Sequence, residues 1–599
     1  MAEKNKALLS LSYSRQQINP NRILGIILAV LLAYLVLVPV LMLLADSVMV
    51  HSRDAAALGR RTGSFTLAYM QRALSSRVAS ILFWKPLLNT VLIAAAITLV
   101  ALGVGYLLAW IIARTDVPLK KLFATLAVIP FMLPSWSYAS AWITVFKNRR
   151  IAGPPGFMEV FGITPPDSFA YGPIPIIICL SMHYFPLAYI MFGNAFQRID
   201  SQLEESAQIL GASRRQTAWK ILLPIMKPAI MSAILLTFAR TVGTFGTPYT
   251  LGRVVNFNTL STSLYSAFHS GSPGVMSVIA IAMVLIGALL VAADVYVLKE
   301  AKRFVTMSGK GQMSRPTTLG KSRIPLTIGT ALFLTLVVII PLGVLTLSTV
   351  MVTPGWFVRD NFTAQFWFAK VTTIREGVAG LFRDPAVLKV IGNSVVSAGI
   401  GAAICGILGT LVGYGTIRLH PSLLSKYLRH TSFLPYLVPG IGFGAAYLLL
   451  FAVRRGPVPV LYGTLTLLIL AMGIMYLPYT ARSSIASISQ MGSEPEEAAM
   501  ILGARWMTRF SLIVLPIQRR ALFSGMLLAF IQGMKELSLV IMLAVPGMEV
   551  LTTLSIRYTD NGLLQMSNGV ILIITAVTFA LTVIAQRLSG SNIAQGLGG

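Results

Sequence analysis

The chain has 599 residues, of which 55% are apolar and only 11% charged, with a mean hydropathy of +0.76. Soluble globular chains carry about 25% charged residues, so this composition excludes a soluble protein and points to the lipid bilayer. The net charge of +28 would suit nucleic acid, but the basic residues are scattered between apolar segments, and no nucleic-acid partner is expected.

Residues 1–22 are polar and too long to be the start of a cleaved signal peptide, and the apolar run that follows is itself too long. They are expected to be a cytoplasmic tail before a signal-anchor span. Apolar runs of the length needed to cross about 30 Å of hydrocarbon then recur along the chain. In the first half they are Ile23–Ala45, Leu87–Ile112, Leu122–Val145, Ile174–Met191, Leu222–Val242 and Val275–Val297. In the second they are Ile324–Leu347, Val387–Ile417, Leu434–Val453, Val458–Tyr479, Ile513–Leu543 and Val570–Ala585. The expected fold is an all-α polytopic membrane protein of about twelve transmembrane helices in two six-span halves. Six is even, so both halves enter the membrane in the same sense, as parallel repeats.

Charge orients the chain. Lys299, Lys302, Arg303, Lys310, Arg315, Lys321 and Arg323 fill the loop after the sixth span, and Lys4, Lys6, Arg15 and Arg22 precede the first. With both termini cytoplasmic these fall inside, as the positive-inside rule requires. Exceptions are Lys147, Arg149 and Arg150, and a basic segment within 46–85 that includes Arg60, Arg61, Arg72 and Arg77. That outer segment suits contact with an acidic partner face or capture of an anionic solute. Cys179 and Cys405 both lie in spans, so no disulfide framework is indicated. The expected units are a tail (1–22), a first half (23–305), a basic linker (306–323), a second half (324–590) and a tail (591–599).

An internal repeat supports this division. Glu204–Pro224 reads EESAQILGASRRQTAWKILLP, and Glu496–Pro516, 292 residues downstream, reads EEAAMILGARWMTRFSLIVLP, with ten of 21 positions identical. PFMLP (130–134) is answered by PYLVP (435–439), YFPLAY by YLPYTA, and Gly105-Tyr106 is matched to Gly413-Tyr414. Both long copies fall between the fourth and fifth spans of their half, on the cytoplasmic side. Each reads as two short helices broken at Gly211 or Gly503, where glycine permits a turn that other residues resist. Glu204, Glu205, Glu496 and Glu497 open the first helix, where negative charge suits the dipole. Connecting loops ordinarily diverge faster than the elements they join. Here the loop is among the most similar parts of the repeat, which suits a paired docking element for a two-fold partner.

At these residues the chain resembles the permease subunit of a bacterial ABC importer. That family has a Glu-Ala-Ala loop with glycine six residues after the glutamate. Glu205-Ser206-Ala207 with Gly211 fits one copy, and Glu497-Ala498-Ala499 with Gly503 fits the other. The resemblance implies the type I importer permease architecture, with each loop seated on one of two cytoplasmic ATPase subunits that hold ATP and Mg. It also implies a periplasmic substrate-binding protein as partner and a multi-pass location in the bacterial inner membrane. Because two permease halves share one chain, the subgroup it resembles is the ferric-iron and thiamine type. There, a Phe-Gly-x-Pro segment in one half pairs with Lys-Glu-Leu in the other; Phe245, Gly246 and Pro248 match the first, and Lys535, Glu536 and Leu537 the second.

Ferric iron is the implied cargo, with phosphonate, thiamine, polyamine or sugar phosphate as alternatives. The substrate pathway is expected at Arg240, Thr244, Phe245, Lys535 and Glu536, with Arg240 facing Glu536 across the pseudo-two-fold axis. Intramembrane charge is costly unless it meets a cavity or partner, and a carboxylate could ligate a hard cation. No phosphate-binding loop occurs, so the chain is not expected to be an enzyme, to hydrolyse ATP or to bind a cofactor. No His/Cys cluster has metal-ligand spacing, and His183 reads as a packed polar side chain. An ion-coupled secondary transporter is the competing reading, but Glu536 and Asp294 are nearly its only intramembrane acids, and it leaves the twin loops unexplained.

Overall fold

The computed structural model describes residues 20–151, 155–199, 201–301, 317–371, 378–436, 438–454 and 459–589. Outside them lie most of the expected tails and linker, with Lys4, Lys6, Arg15, Lys302, Arg303, Lys310 and Arg315, and also the side chain of Asp294. Among the described residues the sheet content is one antiparallel pair, Lys370–Val371 with Val378–Ala379. Among these residues nine helices are long and apolar enough to cross a bilayer, and three bent pairs, each counted as one span, bring the number to twelve.

In order, spans 1 and 2 are Pro20–Val48 and Ser80–Arg114, and spans 4 to 6 are Asp167–Gln197, Arg215–Val242 and Pro273–Leu290. Spans 7 and 8 are Gly320–Thr349 and Pro385–Arg418, and spans 11 and 12 are Trp506–Met534 and Leu564–Ile584. The other three are bent. Span 3 turns by 91° between Lys120–Met132 and Ser137–Phe146, and span 9 by 108° between Leu423–Tyr436 and Gly440–Phe451. Span 10 turns by 40° between Leu465–Met475 and Leu477–Ser489.

Two expectations are corrected here. Spans 3 and 9 are not continuous helices, and span 11 stops at Met534 rather than Leu543. The breaks fall at Pro134 and Pro439. Proline disfavours helix in the residue before it, and Leu133 is extended at φ −73°, ψ 153°. Span 11 ends where Lys535 and Glu536 leave its axis for partners on other elements.

Proline also shapes the continuous spans. Each of the π-helical turns Ala33–Leu37, Ser80–Trp84, Ala218–Leu222, Thr335–Ile339 and Phe510–Val514 ends two residues before a proline: Pro39, Pro86, Pro224, Pro341 and Pro516. A proline lacks the N–H and its ring crowds the carbonyl four residues back. Widening the preceding turn relieves that crowding while the chain stays helical.

The halves are interleaved. Span 1 packs on the second half, where the Tyr447 hydroxyl donates to the Leu35 carbonyl at 2.8 Å and the Tyr427 hydroxyl to the Ala29 carbonyl at 3.3 Å. Span 7 packs on the first half, where the Tyr138 hydroxyl donates to the Val337 carbonyl at 3.1 Å. The main core is shared: Phe245, Leu264 and Ile279 pack with Ala445, Met534 and Ile571.

The matching of Gly105-Tyr106 to Gly413-Tyr414 is one helical turn out of register. A side chain on Gly105 would strike Ala188 and Tyr189, whereas it is Gly409 that would strike their counterparts Thr480 and Ala481. Gly409 and Gly413 lie four residues apart on one helix face, so the slip leaves the sequence pattern intact.

The basic segment after span 1 is held by a bridge between Met49 and Phe65, and its Arg60, Arg61, Arg72 and Arg77 are exposed. Arg60 Nη1 donates to the Phe65 carbonyl at 2.6 Å.

Candidate functional site

Two regions follow the internal symmetry. The first is the pair of loops. Glu204 pairs with Arg114 at the end of span 2, and Glu496 pairs with Arg418 at the end of span 8. Glu496 accepts from Arg418 Nε and from the Tyr414 hydroxyl, both at 2.8 Å, and is buried. These first glutamates therefore point into the protein and anchor the loop, while Glu205 and Glu497 are exposed.

Each first helix then closes in the same way. The Ala212 N–H donates to the Ala207 carbonyl and the Ala504 N–H to the Ala499 carbonyl, both at 2.9 Å, around Gly211 and Gly503 at φ +83°. This is the left-handed glycine closure that satisfies the last carbonyls of a helix. It leaves apolar side chains at the tip in water: Ile209 and Leu210 are 85% and 87% exposed, and Ile501 and Leu502 are 85% and 87% exposed.

The second region is a central cavity of about 110 Å³. It forms where the breaks of spans 3 and 9 meet the ends of spans 5 and 11. Arg240, Thr244, Lys535 and Glu536 all line it, together with His183, Tyr184, Tyr436, Tyr476 and Gln532. Each half's basic side chain stacks on the other half's break. The Arg240 guanidinium lies 4.6 Å from the centre of the Tyr436 ring, and Lys535 Nζ lies 4.2 Å from that of Phe131. Arg240 also donates to the Tyr479 hydroxyl, and Lys535 to the Phe131 carbonyl.

The tyrosines repeat the symmetry. Tyr184 bonds Thr244 Oγ1 at 2.6 Å, and its counterpart 292 residues on, Tyr476, donates to Glu536 Oε2 at 2.5 Å. Glu536 Oε1 accepts the Leu539 N–H at 2.8 Å. Buried His183 rests its Nδ1 3.0 Å from the Pro130 carbonyl.

The 599-residue chain matches the family model described as binding-protein-dependent transport system inner membrane component twice, over residues 101–303 and 385–591. The chain belongs to that family. It is an integral, multi-pass component of a transport system in which two permease domains are fused. A ferric transport system permease protein of Actinobacillus pleuropneumoniae is 25% identical over 71% of this chain and 60% of its own. A putative ferric transport system permease protein of Haemophilus influenzae is 26% identical over 72% of this chain and 65% of its own. An Fe(3+)-transport system permease protein of the same organism is 24% identical over 79% and 84%. The chain thus spans less than two thirds of the length of the first two relatives.

In this permease, four of the five residues expected on the pathway share the cavity, and Phe245 does not. Phe245 is fully buried in the core, stacked on Tyr249 with ring centres 5.0 Å apart. Its neighbour Gly246 fills the cavity-side place, where a Cβ would come within 2.9 Å of Leu537. Nor does Arg240 pair with Glu536; each satisfies its charge on separate tyrosines. Sequence reasoning missed Phe131, Tyr436, Tyr184, Tyr476 and Gln532. For the four aromatics the signal was present in PFMLP/PYLVP and YFPLAY/YLPYTA, where each lies within two residues of a proline.

Proposed function

We propose that this chain is the membrane pathway of an ATP-driven importer, coupled to two cytoplasmic ATPase subunits through the loops at Glu204–Pro224 and Glu496–Pro516. The observation that carries this reading is the matched exposure of Ile209, Leu210, Ile501 and Leu502 at two helix ends closed in the same way. Contiguous apolar side chains in water mark an interaction surface, and two copies related by the repeat fit a partner with two equivalent clefts. ATP and Mg belong to that partner, a periplasmic binding protein delivers the solute, and both termini lie in the cytoplasm. Ferric iron is the proposed cargo, supported by the names of the three relatives. The opposite end, including the basic segment after span 1, would receive the binding protein.

The test is co-expression of the chain with candidate ATPase and binding-protein subunits from the same organism, followed by transport in reconstituted vesicles. Vanadate-sensitive uptake is expected, together with loss of ATPase co-purification when Ile209, Leu210, Ile501 and Leu502 are replaced by Ser. Uptake driven by an ion gradient without ATP would refute the reading.

A further inference from the structure

The charge balance of the cavity bears on what form of cargo crosses it. Its walls bring two basic side chains, Arg240 and Lys535, against one carboxylate, Glu536. That carboxylate is already committed, one oxygen to the Tyr476 hydroxyl and the other to the Leu539 N–H. The donors are not exhausted. A guanidinium carries five N–H groups and an ammonium three; Arg240 spends one on the Tyr479 hydroxyl and Lys535 one on the Phe131 carbonyl, which leaves donors on both. Gln532, 8% exposed, lines the same cavity with a buried Nε2 that has no hydrogen-bond partner. A buried donor without an acceptor is unfavourable until something supplies one.

A bare trivalent cation would face two like charges here, in surroundings where Coulomb repulsion is poorly screened. An anion would meet donors from both halves of the chain. We propose that the cargo crosses this cavity as an anion presenting oxygen acceptors to Arg240, Lys535 and Gln532. It is either a compact oxyanion or a ferric ion enclosed in a net-negative oxygen chelate. The inference rests on the importer reading above and narrows it.

The complete complex, with ATPase and binding protein, is reconstituted in vesicles and offered three radiolabelled probes: iron as its citrate complex, methylphosphonate, and the dication putrescine. ATP-driven uptake is expected for an anionic probe and not for putrescine. Uptake of the citrate complex assigns the chelate, and uptake of methylphosphonate the free oxyanion. Arg240→Gln and Lys535→Gln should each lower that uptake about tenfold, the effect of one lost charge-assisted contact, while Arg240→Lys retains most of it. Membrane level and ATPase co-purification check assembly, and should a Gln variant not assemble, the probes on the unaltered complex still decide. Accumulation of putrescine, absence of both anions with the ATPase bound, or anion uptake indifferent to both Gln variants overturns the assignment. If the ATPase does not co-purify and nothing accumulates, it is the importer reading that fails.

Discussion

At Gly211 and Gly503 the backbone lies at φ +83°, and nothing stands within 4 Å of the place a Cβ would occupy. The constraint is therefore conformational and not steric. An L-residue in the left-handed region costs about 1–2 kcal/mol, while Asn adopts it more readily than Ala. Replacing Gly503 by Ala or Val should loosen the loop and weaken ATPase co-purification, and Asn should be milder. Equal binding by the Val and Asn variants would show that this turn does not position the loop. Glu496 gives a second prediction at this scale. Its side chain is 7% exposed and that of Arg418 13%, so Glu496→Ala leaves a half-buried guanidinium without its counter-ion. Breaking such a pair costs about 3–5 kcal/mol, and Glu496→Gln should cost less because it still accepts from Tyr414. The melting temperature of the purified chain checks both, the Ala variant melting well below the Gln variant. The residues of this latch were partly legible. The glutamates stand out in the repeat, but Arg114 and Arg418 read from sequence only as positive-inside charges, since nothing local links residues some 80 or 90 positions apart.

Among elements, the hydrophobic spans were readable because bilayer thickness imposes a length that composition reveals directly. Their bends were not. An apolar segment of some 24 residues looks the same whether its two limbs run straight or turn through 91° as in span 3, since composition sets the length of a limb and not its direction. Only Pro134 and Pro439 marked the breaks, and proline is common enough in membrane helices to read as a simple kink. The cavity inherits that difficulty, because it exists only where those breaks face the ends of spans 5 and 11. Between elements, polar contacts supply specificity that lipid-like packing cannot. Asn568 of span 12 donates to Thr144 Oγ1 at 3.0 Å in span 3 and to Ser348 Oγ at 2.8 Å in span 7, and accepts from Ser140 at 2.5 Å. It thereby ties the last span to both halves. Asn568→Leu should leave the Ser140 hydroxyl without its acceptor and Thr144 and Ser348 with only their backbone bonds, and lower stability by about 1–3 kcal/mol. Urea or heat titration in detergent measures this, and a change within error would mean the network rearranges without loss.

For the whole molecule, the interleaving of spans 1 and 7 means that neither half of the sequence is a complete packing unit. Leu28, Leu32, Leu35 and Val36 of span 1 are at most 6% exposed and share a core with Phe443, Tyr447 and Leu468 of the second half. A Cβ on Gly25 would come within 2.5 Å of the Leu419 side chain, so the span 1 backbone lies directly against side chains of that half. Span 7 answers on the other side through Tyr138 and Val337. In a bilayer this association draws on close packing and hydrogen bonds rather than on expulsion of water, so it depends on having the right partner surface. If the chain is cut within 302–316 and both fragments are expressed together, they should still assemble, because each supplies a span that the other needs. A tagged second fragment should then retain the first through detergent purification. Removing residues 1–48 from the first fragment should abolish most of that retention and leave the second fragment open to proteolysis near Tyr447, although every span of its own half is present. Full retention without span 1 would show that the shared core beneath the cavity, and not the exchanged helices, holds the two halves together.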